Sequence, residues 1–129
     1  MRVYIASKYI THKELNRQIF NELTNAGITA FLPESIKIDA ISNDEMFAVA
    51  ELCYSEIEKC NVILAMCPFG RSVACELGYA IAIRKLQQKQ IRIVALNPDI
   101  HNEAMIYPYI DKTVKNITQL INYLKSLSD

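Results

Sequence analysis

The sequence predicts an α/β fold: a single-domain, open, mostly parallel, doubly wound sheet of four to five strands with helices on both faces. Three observations carry this prediction. Short β-rich runs alternate with segments of helical periodicity along the chain. Two interior runs, NVILAM (Asn61 to Met66) and IRIVAL (Ile91 to Leu96), are apolar without a break, as strands covered on both faces must be. The length, 129 residues, matches one domain spanning 1–129 and is enough to bury a full core without disulfides or metal.

Each element has a local reason. RVYIA (Arg2 to Ala6) is a short β-rich run. THKE (Thr11 to Glu14) has the form of a capping box, and Leu15, Ile19, Leu23 and Ala26 follow at helical spacing until Gly27 closes the helix. ITAFL (Ile28 to Leu32) reads as the second strand, stopped by Pro33. The loop PESIKIDAIS is long for a compact domain, which suits a cover over a site. SNDE (Ser42 to Glu45) is a second capping box, and Met46, Val49, Cys53 and Ile57 form the inward stripe of the helix behind it. NVILAM is the third strand; FGRSVACELGYAIAIRK (Phe69 to Lys85) is the next helix; IRIVAL is the fourth strand. An irregular stretch through Pro98 and Pro108 leaves room for a short fifth strand near Lys112 to Val114. The last helix shows a stripe of Ile117, Leu120, Ile121, Leu124 and Leu127. The arrangement is Rossmann- or flavodoxin-like.

Composition excludes several classes. Fourteen basic and 14 acidic residues cancel, and no long basic run exists, so a nucleic acid polymer is not the expected partner. No apolar run approaches the ~20 residues a bilayer needs, and the N-terminus lacks the form of a signal peptide, so a cytoplasmic protein without a membrane partner is expected. The four cysteines, Cys53, Cys60, Cys67 and Cys75, make no C-x-x-C pair, and His12 and His101 are the only imidazoles. They read as reduced core residues, and no metal site is expected. The dinucleotide fingerprint and the Walker sequence are both absent from a chain with three glycines, Gly27, Gly70 and Gly78.

Ligands of such sheets bind beyond the carboxyl ends of the strands. There the sequence CPFGRSVACE stands out. Gly70 permits a tight turn, Ser72 is a credible N-cap, and the N–H groups of Val73 to Cys75 would face an anion. Arg71 adds a bidentate donor for phosphate or carboxylate. Glu76 falls one turn in, where the helix dipole favours its ionised form, as the one charged residue between Val73 and Ile83. A glutamate there is also a common stabilising choice. Its apolar neighbours and its place at the binding edge of the sheet favour a carboxylate held ready as a nucleophile.

These residues resemble the nucleoside 2-deoxyribosyltransferase family, including its relatives that hydrolyse nucleoside 5′-monophosphates. RVYIAS is similar to the family's first strand, CNVILA (Cys60 to Ala65) to its third, and GRSVACELGYAIAIRK to the segment with the catalytic Glu; the core is E-L-G-Y-A, Glu76 to Ala80. The resemblance implies that Glu76 attacks the anomeric carbon of a ribosyl or deoxyribosyl group, expels the base and holds the sugar as an ester. It implies that Tyr4, taken to lie at the end of the first strand, orients Glu76. It further implies that Ala6, Ser7, Gly70, Arg71 and Ser72 bind a small nucleoside or nucleotide, that no cofactor is needed, and that the chain is a homodimer or higher homo-oligomer whose neighbouring subunits help close the site. The chain departs from the family's pattern where Cys53 takes the register of an Asp that handles the sugar or leaving base. Gly70 and Ser72 also replace the family's Asp or Ser and Gly ahead of the Glu. Two other readings stand beside this one: a non-catalytic nucleotide-binding module, and an enzyme acting on NAD in the manner of TIR domains.

Overall fold

The computed structural model describes residues 1–8, 11–33, 42–68, 70–98 and 103–128. The order is β1 (Arg2–Ala6), α1 (Lys13–Asn25), β2 (Thr29–Phe31), α2 (Asn43–Lys59), β3 (Val62–Met66), α3 (Arg71–Gln87), β4 (Arg92–Leu96), β5 (Lys112–Val114) and α4 (Ile117–Leu127), with a 3₁₀ turn at Tyr107–Tyr109 before β5. The strands form a five-stranded sheet in the order β2-β1-β3-β4-β5, and every pairing is parallel. The expected long loop between β2 and α2 lies almost wholly outside the described residues.

Strand alternation divides the core into two layers. Tyr4, Ala6, Ile63, Ala65 and Ile93 pack on one face with Ile57 of α2 and Val73, Leu77 and Ala80 of α3. Val3, Ile5, Leu64, Met66 and Val94 pack on the other with Ile19 and Leu23 of α1 and Leu120 and Leu124 of α4. All five residues of β3 are buried, which explains its unbroken apolar run.

The helix starts show where local pattern and fold agree. The Ser42 box forms: its Oγ accepts from the Glu45 N–H at 3.1 Å and donates to Glu45 Oε1 at 2.9 Å. The Thr11 box does not. α1 is capped at His12 without a side-chain bond, because the chain leaving β1 is held otherwise. The His12 N–H donates to Lys8 O at 3.3 Å, and the His12 ring nitrogen Nε2 lies 3.3 Å from Pro68 O. That second contact ties the loop after β1 to the loop after β3. Gly27, at φ 77°, turns the chain from α1 into β2, a conformation that suits glycine.

Two polar locks fix the far ends of the helices. Arg2 and Lys59 pair with the buried Glu56, joining β1 to the end of α2. Asp111 accepts from the Ile93 N–H at 2.7 Å and takes both arms of Arg84 at 3.1 and 3.3 Å, holding α3 to the start of β4. α3 therefore sits in a fixed register over the sheet, and so does what it carries.

Candidate active site

The connections reverse direction between β1 and β3: one leads outward to β2, the other to β4 and β5. A reversal of this kind opens a crevice at the carboxyl ends of the two central strands. A cavity of about 910 Å³ lies there, lined among others by Ser7, Lys8, Asn16, Cys53, Gly70, Arg71, Ser72, Val73 and Glu76. The inward stripe of α2 is shared between core and cavity. Ile57 is fully buried, whereas Met46, Val49 and Cys53 line the cavity.

Glu76 enters from α3. It stands in the second turn, because the helix begins at Arg71 with Gly70 as its N-cap. Ser72 is therefore not the cap. The helical ladder opens with the Ala74 N–H donating to Gly70 O at 3.1 Å, so the N–H groups of Arg71, Ser72 and Val73 precede it, rather than those of Val73 to Cys75. Gly70 allows a close approach: a Cβ there would sit 3.2 Å from Lys8 Cε.

Burial, not the helix dipole, governs the carboxyl. Glu76 Oε2 is buried and has no hydrogen-bond partner. Desolvation pushes the Glu76 carboxyl up to about 7, with the Tyr4 hydroxyl pulling it part of the way back. The expectation of a carboxylate held ionised by the helix start is thus overturned: near neutral pH the neutral and charged forms are both populated.

Tyr4 lies at the centre of β1 rather than at its end, fully buried, with its ring 5.4 Å from that of Phe31. Burial first, and the Glu76 charge second, push its phenol far above the ordinary range. Tyr4 keeps its proton at any working pH and can only donate to a charged Glu76. Its hydroxyl couples to Glu76 and Cys53 without closing to a standard hydrogen bond with either, since Tyr4 Oη is itself buried and unpaired. Burial also raises the half-buried Cys53 thiol, the nearby Tyr4 hydroxyl opposes the rise and the Glu76 charge adds to it. Within this trio Glu76 is the group that titrates near neutrality.

The structure brings Ser7, Gly70, Arg71, Ser72 and Glu76 to the lining of one cavity, and Tyr4 reaches Glu76 from the buried layer without lining it. Ala6 stands apart: it is buried between β1 and α2–α3 and does not line the cavity. Several cavity residues escaped the sequence reading, Lys8, Asn16 and Tyr54 among them. Lys8 adds a cation beside Gly70 and Arg71; its signal was a lysine two residues past the first strand. Asn16 lies on the inward stripe of α1 with Ile19 and Leu23, 1 % exposed, and its Oδ1 has no partner. A polar residue at the i position of an i, i+3, i+7 apolar stripe was the signal there. Among the described residues no group of three or more His, Cys, Asp or Glu side chains is placed to hold a metal, and no helix is long and apolar enough to cross a membrane.

No protein-family model and no curated protein matches the chain. Solved structures do. A 2-deoxyribosyltransferase from Bacillus psychrosaccharolyticus aligns over 95% of this chain and 92% of its own, with TM-score 0.75 and 18% identity. A conserved protein from Enterococcus faecalis aligns over 98% of both chains, with TM-score 0.68 and 17% identity. The CMP N-glycosidase of Clostridium botulinum aligns over 98% of this chain and 99% of its own, with TM-score 0.60 and 15% identity. The chain has the fold of these proteins, over nearly the full length of each.

The Glu76 shift has a measurable consequence. Unfolded, its carboxyl releases the proton near 4.5; folded, it holds it to about 7. Between those values the folded state binds more protons, so stability falls as pH rises, and the loss is complete above about 7. Glu76→Gln removes this dependence. Its melting temperature should exceed that of the wild type by a margin that grows from pH 5 to pH 8, worth up to about 3 kcal/mol. A margin constant across that window would show a carboxyl titrating as if solvated.

Proposed function

We propose that this protein cleaves the N-glycosidic bond of a (deoxy)nucleoside or its 5′-monophosphate, by hydrolysis or by transfer to a second base, as a member of the nucleoside 2-deoxyribosyltransferase family. The observation that carries this reading is Glu76, which lines the cavity at the β1–β3 reversal with its buried Oε2 unpaired and the protonated Tyr4 hydroxyl beside it. The names of two neighbours of the same fold, a 2-deoxyribosyltransferase and a CMP N-glycosidase, support it.

Ionised Glu76 attacks the anomeric carbon as the bond to the base breaks, and the base nitrogen leaves with the electron pair and takes a proton from solvent. The transition state resembles an oxocarbenium ion, and the sugar rests as an ester on Glu76 until water or another base displaces it. Tyr4 is a positioning residue that steers the carboxylate by donating to it. The N–H groups at the start of α3, with Arg71, Ser72 and Lys8, form the seat of a 5′-phosphate. The reading includes a homodimer or larger homo-oligomer in the cytoplasm; the exposed Met46, Phe47 and Leu52 on α2 support a covered surface there.

Incubation with nucleosides, nucleotides and NAD, with and without a second base, tests this directly. Free base without free nicotinamide is expected. Glu76→Ala should lower base release by roughly four or more orders of magnitude and leave the fold intact; unchanged turnover would end the assignment. Arg71→Ala should raise KM for a nucleotide about ten- to a hundredfold while barely changing KM for the matching nucleoside. Equal effects on both would place Arg71 elsewhere. Cys53→Asp puts a carboxyl where the family has one and where the chain already faces a cavity. It should melt within a few degrees of the wild type and release base faster, and a large fall in melting temperature with no gain in rate would show Cys53 to be plain core.

A further inference from the structure

The cavity is not confined to the side of the sheet that holds Glu76. It passes over the carboxyl end of β1 to Ile5, Leu32, Pro33 and Asn16. Ile5 and Leu32 belong to the layer packed against α1 and α4, opposite the layer that contains Tyr4 and α3. This far recess is apolar except for Asn16. That residue is 1 % exposed, and its Oδ1 has no hydrogen-bond partner. A buried amide oxygen left unpaired is costly, and such groups are rare in native proteins. Its backbone belongs to the α1 ladder, the N–H donating to His12 O at 2.8 Å. The oxygen is thus an unpaired acceptor carried by a helix at the wall of the cavity.

Resting on the glycosidase reading, we infer that Asn16 is the residue that recognises the leaving base, its Oδ1 accepting an N–H of a nucleobase seated between Ile5, Leu32 and Pro33. The chemistry of each end selects the group. The unpaired Oδ1 accepts, so the group that satisfies it must bring a donor N–H or O–H, which an ionised phosphate does not. A flat base offers apolar faces to the walls and N–H donors on its edge. The geometry of displacement selects the base over a sugar hydroxyl. As the bond from Glu76 to the anomeric carbon forms, the bond to the base breaks on the opposite side. Glu76 stands on one face of the sheet edge and the Asn16 recess on the other. A sugar held over the end of β1 therefore points its leaving group at Asn16. A site built to pair a buried acceptor discriminates against any ligand that lacks the donor.

The test uses the full chain with Glu76→Gln, so that ligand is not consumed. Calorimetry with AMP, CMP, GMP and UMP identifies the tightest nucleotide, and ribose 5-phosphate serves as the probe without a base. Adding Asn16→Leu should weaken that nucleotide roughly tenfold and leave ribose 5-phosphate unchanged. Asn16→Leu alone should melt no lower than the wild type, because it removes a polar atom that has no partner to lose. Equal weakening of ribose 5-phosphate would move Asn16 to the sugar and overturn the inference. Undiminished nucleotide binding would overturn it too, as would a melting temperature several degrees lower, which would mean that Asn16 holds its own chain. If none of the four nucleotides binds and the wild type releases no base, the glycosidase reading falls and this inference with it.

Discussion

Everything at the site depends on β1 being a parallel strand buried on both faces at the point where the sheet's connections reverse. Burial on both faces forces its alternate residues into opposite layers, Tyr4 and Ala6 towards α2 and α3, Val3 and Ile5 towards α1 and α4. The reversal removes any helix from directly above its carboxyl end. One short strand thereby supplies a wall to each side of a single cavity. A register slip of one residue would exchange Tyr4 with Ile5 and leave Glu76 facing an aliphatic chain. The pairing with β3, from Val3 opposite Val62 to Ala6 opposite Ala65, and the Arg2 N–H donating to Asn61 Oδ1 at 2.8 Å oppose that slip.

Against this frame the fold carries two buried polar atoms on cavity-lining residues with no partner, Asn16 Oδ1 and Glu76 Oε2, and a third, Tyr4 Oη, next to Glu76 in the buried layer. Each costs on the order of 1–3 kcal/mol relative to a satisfied group. The offset comes from the apolar layers around them. Leu77, next to Glu76, is fully buried, and so are Ile19 and Leu23 below Asn16. Burial of each such side chain stabilises by roughly 1.5–3 kcal/mol. A fourth unpaired atom, Arg2 Nε, lies at the other end of β1 beside the Glu56 lock, so it is the grouping of the other three around Glu76 and the cavity that suits groups kept free for a ligand.

The regular core was legible in the sequence because two-sided burial writes itself as composition. β3 and β4 lie within the apolar runs that announced them, β1 spans the same five residues, and β5 falls at Lys112–Val114. Helix starts were less legible, since a cap depends on what the incoming chain already bonds. Ser42 is free to cap α2, whereas the chain before α1 is bound up through Lys8 and His12, so Thr11 caps nothing. Glu76 and the Gly70 turn stood out by residue type and place, whereas Tyr4 entered only through the family resemblance. Lys8 and Asn16 did not stand out, because what marks them is tertiary: a lysine stem lying on Gly70, and a buried amide oxygen without a partner at the cavity. The failure over the charge state of Glu76 has the same origin. A helix dipole can be read from position, but burial depends on which segments close over the residue.

That charge state connects the two ends of the proposed site. A carboxyl that titrates near 7 is half neutral in the free protein, and the neutral form is no nucleophile. A phosphate dianion bound nearby would, taken alone, raise the carboxyl further and deepen the problem. Lys8 and Arg71 line the same cavity and bring two positive charges to the seat of that dianion. With the phosphate neutralised, the ligand adds little net field at Glu76, and what remains is the Tyr4 hydroxyl, which favours the ionised form. A nucleoside gains nothing from those cations and leaves Glu76 with the charge balance of the free protein, raised by burial and drawn back by Tyr4. On the proposed reading the cations, rather than the nucleophile, are therefore the place where a preference between nucleotide and nucleoside is set.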